Sequence, residues 1–278
     1  MIKNKIGLGT VQFGLPYGIS NTKGQTSPQE VKNILELAKR EGIDLLDSAS
    51  AYGNAEEILG KNDLQSFRVV SKFLPAAAGK KIEEQLDQTL NNLGKNSLYA
   101  YLAHKPLHLL GSPGEWERLQ EFQQKEKIQK IGYSLNEPEE LERLLDAGLM
   151  PDLVQVPYNY FDRRFEDQIV ELRKNGCEIH TRSAFLQGLF FKDPEELPEY
   201  FQDVKLTIQE LQEQKESLAG KLLKFVLERS FIDRVIVGVE NSNQLQHNLQ
   251  SVSAEGKLPE LSKVISENIL IPSRWPKK

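Results

Sequence analysis

Short apolar runs alternate with amphipathic segments along most of the chain. The apolar runs have the length and composition of buried β-strands, and they cover residues 6–11, 44–49, 68–73, 98–104, 130–134, 153–158, 178–183 and 234–239. The amphipathic segments repeat apolar residues at helical spacing, and they cover residues 27–42, 55–61, 80–94, 113–127, 137–148, 164–176, 203–229 and 242–251. This alternation predicts parallel strands joined by helical crossovers.

The number of these units predicts a closed (β/α)8 TIM barrel that forms a single domain over residues 1–278. The first turn, GLGTVQFG, lacks the glycine spacing and the following helix of a dinucleotide-binding βαβ unit, which disfavours an open doubly wound sheet. A long insertion follows the seventh strand, from Phe185 to about Glu216, and a connection of this length predicts a lid or a binding loop. Only five residues precede Ile6, which predicts little or no N-terminal hairpin.

A polar residue or a glycine stands at the end of nearly every predicted strand. These positions are Thr10, Asp47, Lys72, His104, Ser134, Gln155, Arg182, Ser183 and Gly238. The carboxyl-terminal ends of barrel strands meet on one face, where catalytic groups of such barrels lie. At any single position a structural role is as reasonable as a functional one. The set as a whole favours an active site, because we expect no comparable set at the strand starts.

The acid, the ammonium and the imidazole of this set, together with the phenol of Tyr52 in the turn after Asp47, suggest proton transfer. A tyrosine normally has a pKa of about 10, and a nearby Lys72 ammonium would lower the pKa of Tyr52. Asp47 would hold Lys72 and keep it charged, and His104 could orient a substrate oxygen. The group predicts a site that donates a proton to an oxygen gaining negative charge, as a carbonyl oxygen does when hydride arrives.

Composition and spacing exclude several other classes. The net charge is −5, from 35 basic and 40 acidic residues mixed along the chain, so no basic stripe predicts nucleic-acid binding. No apolar run approaches the roughly 18 residues of a membrane span. The one cysteine, Cys177, is expected to be buried, and a cytoplasmic location follows from the low cysteine usage. The histidines lack metal-ligand spacing, and Asp44 and Asp47 lie three apart, on opposite faces of a strand, which disfavours paired-carboxylate hydrolysis.

At these residues the chain resembles the aldo-keto reductase superfamily over essentially its full length. DSASAYGNAEEILG resembles the signature that carries Asp47 and Tyr52, SKF supplies Lys72, and LAHKP supplies His104. The resemblance implies an NADP(H)-dependent oxidoreductase that reduces an aldehyde or ketone, with these four catalytic residues and no metal. GLGTVQFGLPYGISN and RSAFLQGL further resemble a bacterial subgroup of cell-surface sugar pathways, which suggests a sugar-like carbonyl substrate.

The resemblance also assigns residues to an extended cofactor. They are Gly9, Thr10, Ser134, Gln155, Arg182, Ser183, Phe185, Leu186, Gly188, Gly238, Gln244 and Asn248. Ser134 and Gln155 match the pair that holds the nicotinamide carboxamide. Arg182 replaces the usual aromatic residue, and its planar guanidinium can also stack on a ring.

The coenzyme choice depends on the segment after the last strand. Gly238 and Gln244 occupy the positions where many relatives have a cation, and Glu240 lies between them. Backbone amides at the start of the following helix, helped by Asn241 and Ser242, could bind a phosphate without a cation. The expectation is therefore NADP(H) with weak discrimination, so that NAD(H) is also usable.

Two other functions remain open from the sequence. The barrel could be a cofactor-binding sensor with little catalysis, since a fold alone does not prove activity. Lys72 could instead be the nucleophile of a Schiff-base lyase, which the neighbouring Asp47 disfavours because an ion pair keeps the amine protonated. The tail around Trp275 is expected either to be disordered or to fold over the barrel mouth, and the sequence indicates no oligomeric state.

Overall fold

The computed structural model describes residues 2–76, 81–213, 217–253, 256–261 and 263–276. Eight parallel strands pair in chain order and close into a barrel, in which β1 also pairs with β8. The strands are β1 (Ile6–Gly9), β2 (Leu45–Asp47), β3 (Arg68–Phe73), β4 (Leu98–Ala103), β5 (Ile128–Ser134), β6 (Leu153–Pro157), β7 (Glu178–Arg182) and β8 (Arg234–Gly238). The predicted (β/α)8 barrel is confirmed, and only β5 begins outside its predicted range.

Helices follow the strands as the apolar spacing predicts. They are α1 (Val11–Gly14), α2 (Pro28–Arg40), α3 (Ala55–Gly60), α4 (Ile82–Leu93), α5 (Pro113–Gln124), α6 (Pro138–Asp146), α7 (Glu166–Lys174), α8 (Gln202–Glu213), α9 (Leu218–Leu227), α10 (Ser242–Ser251) and α11 (Glu267–Leu270). The Ser27 side chain caps α2 by accepting a hydrogen bond from the Glu30 amide, and the chain leaves this helix through Gly42 at a φ of 77°. The single turn α1 was not predicted. Among the described residues no helix is long and apolar enough to cross a membrane.

The insertion after β7 is a folded unit, whereas the sequence predicted a loop. Tight turns over Leu186–Phe191 lead through two short 3-10 turns into α8. The single helix predicted over 203–229 is two helices, α8 and α9, and the predicted end of the insertion at about Glu216 lies outside the described residues. The helix of the seventh strand–helix unit, which leads directly into β8, is α9. The preceding α8 therefore belongs to the insertion.

The insertion has its own apolar core, which it shares with the C-terminal segment. Phe190, Phe201 and Ile208 from the insertion are buried with Ile269 and Trp275. The Trp275 ring meets Phe201 edge-on with centroids 5.1 Å apart, and its indole Nε1 donates to the Ile269 carbonyl at 3.0 Å. The tail around Trp275 is therefore ordered against the insertion, and the alternative of a disordered tail was wrong.

Inside the barrel, an apolar layer separates two polar ends. Alternate strand residues face the interior, and the apolar layer consists of Leu45, Val70, Ala100, Leu102, Leu153 and Ile236. Their chain neighbours, such as Leu46 and Val69, belong to the core between strands and helices. Cys177 also lies buried, as predicted, and burial raises the pKa of its thiol to about 12.

The strand starts carry a second convergence of polar groups, and the expectation that they would not was wrong. We call this set, Asp44, Arg68, Tyr99, Lys130, Glu178 and Arg234, the charged floor. Asp44 pairs with Arg68 at 2.7 Å and with Arg234 at 3.0 Å. Glu178 accepts hydrogen bonds from the Tyr99 hydroxyl and from Lys130, both at 2.5 Å. Most of these strands contribute a single charged residue, which the local pattern does not mark as unusual.

Candidate active site

Lys72 and Asp47 form a buried ion pair at the carboxyl-terminal ends of β3 and β2. The Lys72 Nζ lies 2.7 Å from Asp47 Oδ2, and the two side chains are 0% and 4% exposed. The same Nζ also donates to the Ser48 carbonyl at 2.9 Å and to the Tyr52 hydroxyl at 3.4 Å. Three acceptors therefore use all three protons of the ammonium group.

Burial and charge act on Lys72 in opposite directions. Burial alone would lower the pKa of the ammonium, but the Asp47 carboxylate and the Tyr52 hydroxyl outweigh it. The pKa of Lys72 consequently lies above its ordinary value, and this residue stays charged at neutral pH.

Tyr52 is held by the turn between β2 and α3. Its amide donates to the Ala49 carbonyl at 3.0 Å, and its carbonyl accepts from Ala55 at 3.1 Å. Gly14 packs so closely on this turn that an added Cβ would lie 1.7 Å from the Tyr52 carbonyl oxygen. Only glycine fits at this contact, so Gly14 is a positioning residue that sequence reasoning missed. Its place in the first glycine-rich turn was the available signal.

His104 follows β4 and completes the group predicted from the sequence. Its ring meets the Tyr52 ring edge-on, with centroids 5.9 Å apart. Burial lowers the pKa of His104 to about 4, and the charges of Lys72 and Arg182 act in the same direction. The imidazole is therefore neutral at pH 7. The structure thus brings together all four predicted residues, Asp47, Tyr52, Lys72 and His104.

Gln155 is tied to the ion pair, an arrangement that the sequence did not predict. Its Nε2 donates to Asp47 Oδ1 at 2.7 Å, so that both carboxylate oxygens of Asp47 are used. Its Oε1 accepts a long hydrogen bond of 3.4 Å from the Ser134 hydroxyl. Ser134 and Gln155 lie side by side on paired strands, as expected of a pair that binds one group.

The segment after β7 combines a fixed cation with a strained backbone. The Arg182 guanidinium donates to the Leu135 carbonyl at 2.8 Å and to Asn136 Oδ1 at 2.7 Å. Positive φ angles occur at Ser183 (65°), Leu186 (45°) and Gly188 (91°). For residues other than glycine this conformation is uncommon and is typical of functional segments.

Three of the predicted cofactor residues in this segment are constrained by packing. The Leu186 side chain is fully buried in the core of the insertion, so only its backbone is available to a ligand. Phe185 is partly buried and packs edge-on against Phe191, with centroids 5.4 Å apart. Gly188 lies against Ser20, whose hydroxyl would be 2.1 Å from an added Cβ.

Gly9, Thr10 and Gly238 lie together where the barrel closes. Gly9 pairs with Gly238, and the Thr10 hydroxyl donates to the Asp47 carbonyl at 3.0 Å. The Gln12 amide lies directly over Gly238, because an added Cβ there would be 2.8 Å from Gln12 Oε1. Sequence reasoning missed Gln12, whose position in the first strand–helix turn was the only signal.

Glu30 occupies the start of α10, where the sequence predicted free donors for a phosphate. Its Oε1 accepts from the Ser242 amide at 2.6 Å and from the Ser242 hydroxyl at 2.7 Å. These hydrogen bonds lower the pKa of Glu30, which is therefore ionised at neutral pH. Asn241 is also engaged, since its side chain accepts from the Gln244 amide at 2.9 Å. The expectation of free donors is thus corrected for the Ser242 amide and hydroxyl, and the Gln244 amide is also taken.

The remaining two predicted cofactor residues also lie on α10. The Gln244 side chain accepts a hydrogen bond from the Glu240 amide at 2.8 Å, and Asn248 is largely buried. Both stand on the helix that begins next to the β8 end, as expected, but Gln244 already has an intramolecular partner.

Several buried polar atoms near this end of the barrel have no hydrogen-bond partner among the described residues. They are His104 Nδ1, Gln12 Oε1, Ser48 Oγ and Ser50 Oγ. Buried polar atoms are nearly always paired in native proteins, so this set indicates a polar ligand. A nicotinamide cofactor, with its carboxamide, ribose and phosphate groups, fits such a lining. No group of three or more potential metal ligands occurs among the described residues.

Comparisons with known proteins agree with this geometry. The chain matches the model of the aldo/keto reductase family over residues 5–262. It is 26% identical over 188 residues to aldo-keto reductase YhdN of Bacillus subtilis, a match that covers 62% of this chain and 55% of that protein.

Solved structures share the fold over nearly the whole chain. The holo form of aldo-keto reductase AKR11C1 from Bacillus halodurans superposes with a TM-score of 0.70 at 20% identity, covering 90% of this chain and 87% of that one. An aldo/keto reductase from Klebsiella pneumoniae, solved with NADP and acetate, gives a TM-score of 0.66 at 19% identity, covering 96% and 91%.

The buried ion pair predicts a specific stability effect. Lys72→Met should lower the free energy of unfolding by about 3–5 kcal/mol, because it leaves the Asp47 carboxylate buried without its counter-charge. Urea unfolding of the variant measures this loss. Lys39→Met is the control, since Lys39 pairs with Asp63 at 3.3 Å on the surface and should cost less than about 1 kcal/mol. Equal losses in the two variants would contradict the assigned role of the pair.

Proposed function

Because the chain belongs to the aldo/keto reductase family, we propose that it reduces an aldehyde or ketone to an alcohol with Tyr52 as the general acid. The observation that carries the proposal is the Lys72 ammonium, which contacts both Asp47 and the Tyr52 hydroxyl at the strand ends. A fixed cation next to a phenol stabilises the phenolate that remains after proton donation.

Each of the four residues has a distinct task in this proposal. Bound nicotinamide would supply the hydride to the carbonyl carbon. Tyr52 donates its hydroxyl proton to the carbonyl oxygen, and Lys72 stabilises the phenolate that forms. Asp47 holds Lys72 in place at 2.7 Å. His104, which is neutral, cannot act as a cationic acid, and its ring orients the substrate oxygen toward Tyr52.

The lyase alternative is disfavoured by the geometry of Lys72. A Schiff base requires a free amine with a lone pair. In this chain the pKa of Lys72 is raised, and its protons face Asp47, Ser48 and Tyr52.

The cofactor is proposed to lie across the carboxyl-terminal ends of β5 to β8. Ser134 and Gln155 would hold the carboxamide, and the Arg182 guanidinium would stack on the nicotinamide ring. The turns from Ser183 to Gly188 would contact the pyrophosphate, and α10 would contact the adenosine.

The proposed coenzyme is NADP(H), with NAD(H) also usable. The NADP complex of the Klebsiella pneumoniae enzyme supports NADP(H) by family likeness. The ionised Glu30 at the start of α10 acts in the other direction, because it would repel a 2′-phosphate bound there. Discrimination between the two coenzymes should therefore be weak. A sugar-like carbonyl remains the proposed substrate class.

Replacing the proposed acid should abolish turnover without abolishing cofactor binding. Tyr52→Phe removes the donated proton, and loss of general acid catalysis typically costs about 10²- to 10⁴-fold in rate. NADPH oxidation with a panel of aldehydes measures the rate, and coenzyme fluorescence measures binding. Tyr200→Phe, on the insertion, is the control and should retain the wild-type rate. Full activity of Tyr52→Phe would refute the assignment. If the wild-type protein bound the coenzyme tightly but did not oxidise it with any carbonyl of the panel, it would instead be a sensor.

The low pKa of His104 predicts that its protonation state does not change near neutral pH. Its imidazole should stay neutral as the pH falls from 8 to 5 and should gain a proton only as the pH approaches about 4. Nitrogen NMR of the histidine rings measures this directly, with the His104 signals assigned by their absence in His104→Gln. A transition near pH 6.5, the ordinary value for histidine, would show that the site is more hydrated than its geometry indicates.

Neutralising Glu30 should shift coenzyme choice toward NADPH. In Glu30→Gln the ratio of the NADH and NADPH dissociation constants should rise about tenfold, since one charged contact is typically worth about 1.5 kcal/mol or more. Fluorescence titration with both coenzymes gives the ratio. Glu36→Gln, an exposed change on the same helix, is the matched control and should leave the ratio unaltered. If the ratio of dissociation constants were the same in Glu30→Gln and in the control, the 2′-phosphate of the coenzyme would not bind near the start of α10.

A further inference from the structure

A cavity of about 400 Å³ opens at the strand starts, on the barrel face opposite Tyr52. Five cations line it, and they come from separate elements of the fold: Lys5, Arg68, Lys130, Arg173 and Arg234. The volume falls within the range of cavities that bind small molecules, but the lining is ionic where such sites are usually apolar.

The carboxylates at this cavity have no free oxygen. Glu178 accepts from His180 at 2.7 Å with one oxygen, and from Tyr99 and Lys130 with the other. Asp233 accepts from the Ile179 amide and from Arg173, both at 2.9 Å. The oxygens of Asp44 bind Arg68 and Arg234. Every oxygen of the three carboxylates therefore already has a partner.

The cations, in contrast, have donors to spare. A guanidinium carries five N–H groups; the described side-chain partners of Arg68 and of Arg173 are one carboxylate each, Asp44 and Asp233. Lys5 donates to the Arg229 carbonyl at 2.8 Å. Burial and the nearby Arg173 charge both lower the pKa of Lys5, whereas the Asp233 carboxylate raises it. The pKa of Lys5 as a whole lies below its ordinary value. Two carboxylates, Glu178 and Asp233, line the cavity with the five cations. Asp44 lies outside the lining but pairs with Arg68 and Arg234, so that two positive charges remain in excess.

We propose that this cavity is an anion-binding site for a phosphate group, either free or as the ester of a small metabolite. A phosphate dianion matches the excess of two positive charges, and its oxygens suit the forked donors of Arg68, Arg173 and Arg234. Bound phosphate would connect the first residues of β3 and β8 with the end of α7 and with the turn that precedes β1. Because this face is remote from Tyr52, the site is independent of the proposed reduction.

Titration of the purified full chain with inorganic phosphate and with glycerol 3-phosphate, an ester that carries no carbonyl for the proposed reduction, tests the site. Each is added with saturating NADPH present, to block the coenzyme region, and at ionic strength held constant with sodium chloride. Calorimetry gives the dissociation constant, and the melting temperature should rise with phosphate because only the folded state binds. Tighter binding of the ester would identify a metabolite as the ligand, and equal binding would identify free phosphate.

Two cavity variants and one control locate the site. Arg173→Gln and Lys5→Gln should each weaken phosphate binding at least about tenfold, the effect of one charge-assisted hydrogen bond. Arg143→Gln, an exposed change on α6 outside the cavity, should bind like the wild type. If the wild type bound no phosphate at about 10 mM, its binding free energy would be weaker than about −3 kcal/mol, and the proposal would be overturned. Unchanged binding in both cavity variants would overturn it as well.

Discussion

The buried Lys72–Asp47 ion pair is the interaction on which the carboxyl-terminal end of the barrel depends. Two opposite charges with almost no exposure are stable only when their remaining hydrogen-bonding groups are satisfied. Ser48 and Tyr52, from the turn after β2, and Gln155, from β6, provide those partners. The pair therefore fixes the positions of the groups around it as well as its own. This explains how chemically distinct residues from separate strand ends are held close to one another.

The same pair determines what the site can do electrostatically. Lys72 remains charged because Asp47 compensates for its burial, and its charge contributes to the low pKa of His104. A permanent cation beside a phenol, with a neutral imidazole next to it, is suited to stabilising negative charge on oxygen. It is not suited to amine nucleophilic chemistry, which needs an uncharged lysine. The proposed reduction follows from this division of charge.

The sequence predicted those features that depend on local pattern. Strand alternation was sufficient for the barrel, and the polar strand ends with the turn after Asp47 were sufficient to predict that Asp47, Tyr52, Lys72 and His104 lie close together. Contacts between distant segments were not predictable in this way. Glu30 meets Ser242 across the gap between α2 and α10, and nothing near either residue indicates the other. Gln155 similarly reaches Asp47 across the barrel interior.

The charged floor shows the same limit at the other end of the barrel. Each of its residues is unremarkable within its own strand, and only closure of the sheet brings them together. The insertion differs again, because its core forms with a tail that lies far along the chain, around Ile269 and Trp275. A length-based expectation of a loop could not include that partner.

The most direct test of the account is the fate of the transferred hydrogen. The protein would be given an accepted aldehyde and nicotinamide coenzyme deuterated at C4 on the transferred face, and the product alcohol analysed by mass spectrometry. The account predicts one carbon-bound deuterium in the alcohol, from direct hydride transfer, with the oxygen-bound proton supplied by the protein and solvent. Alcohol without carbon-bound deuterium, when coenzyme deuterated on either face is used, would contradict it.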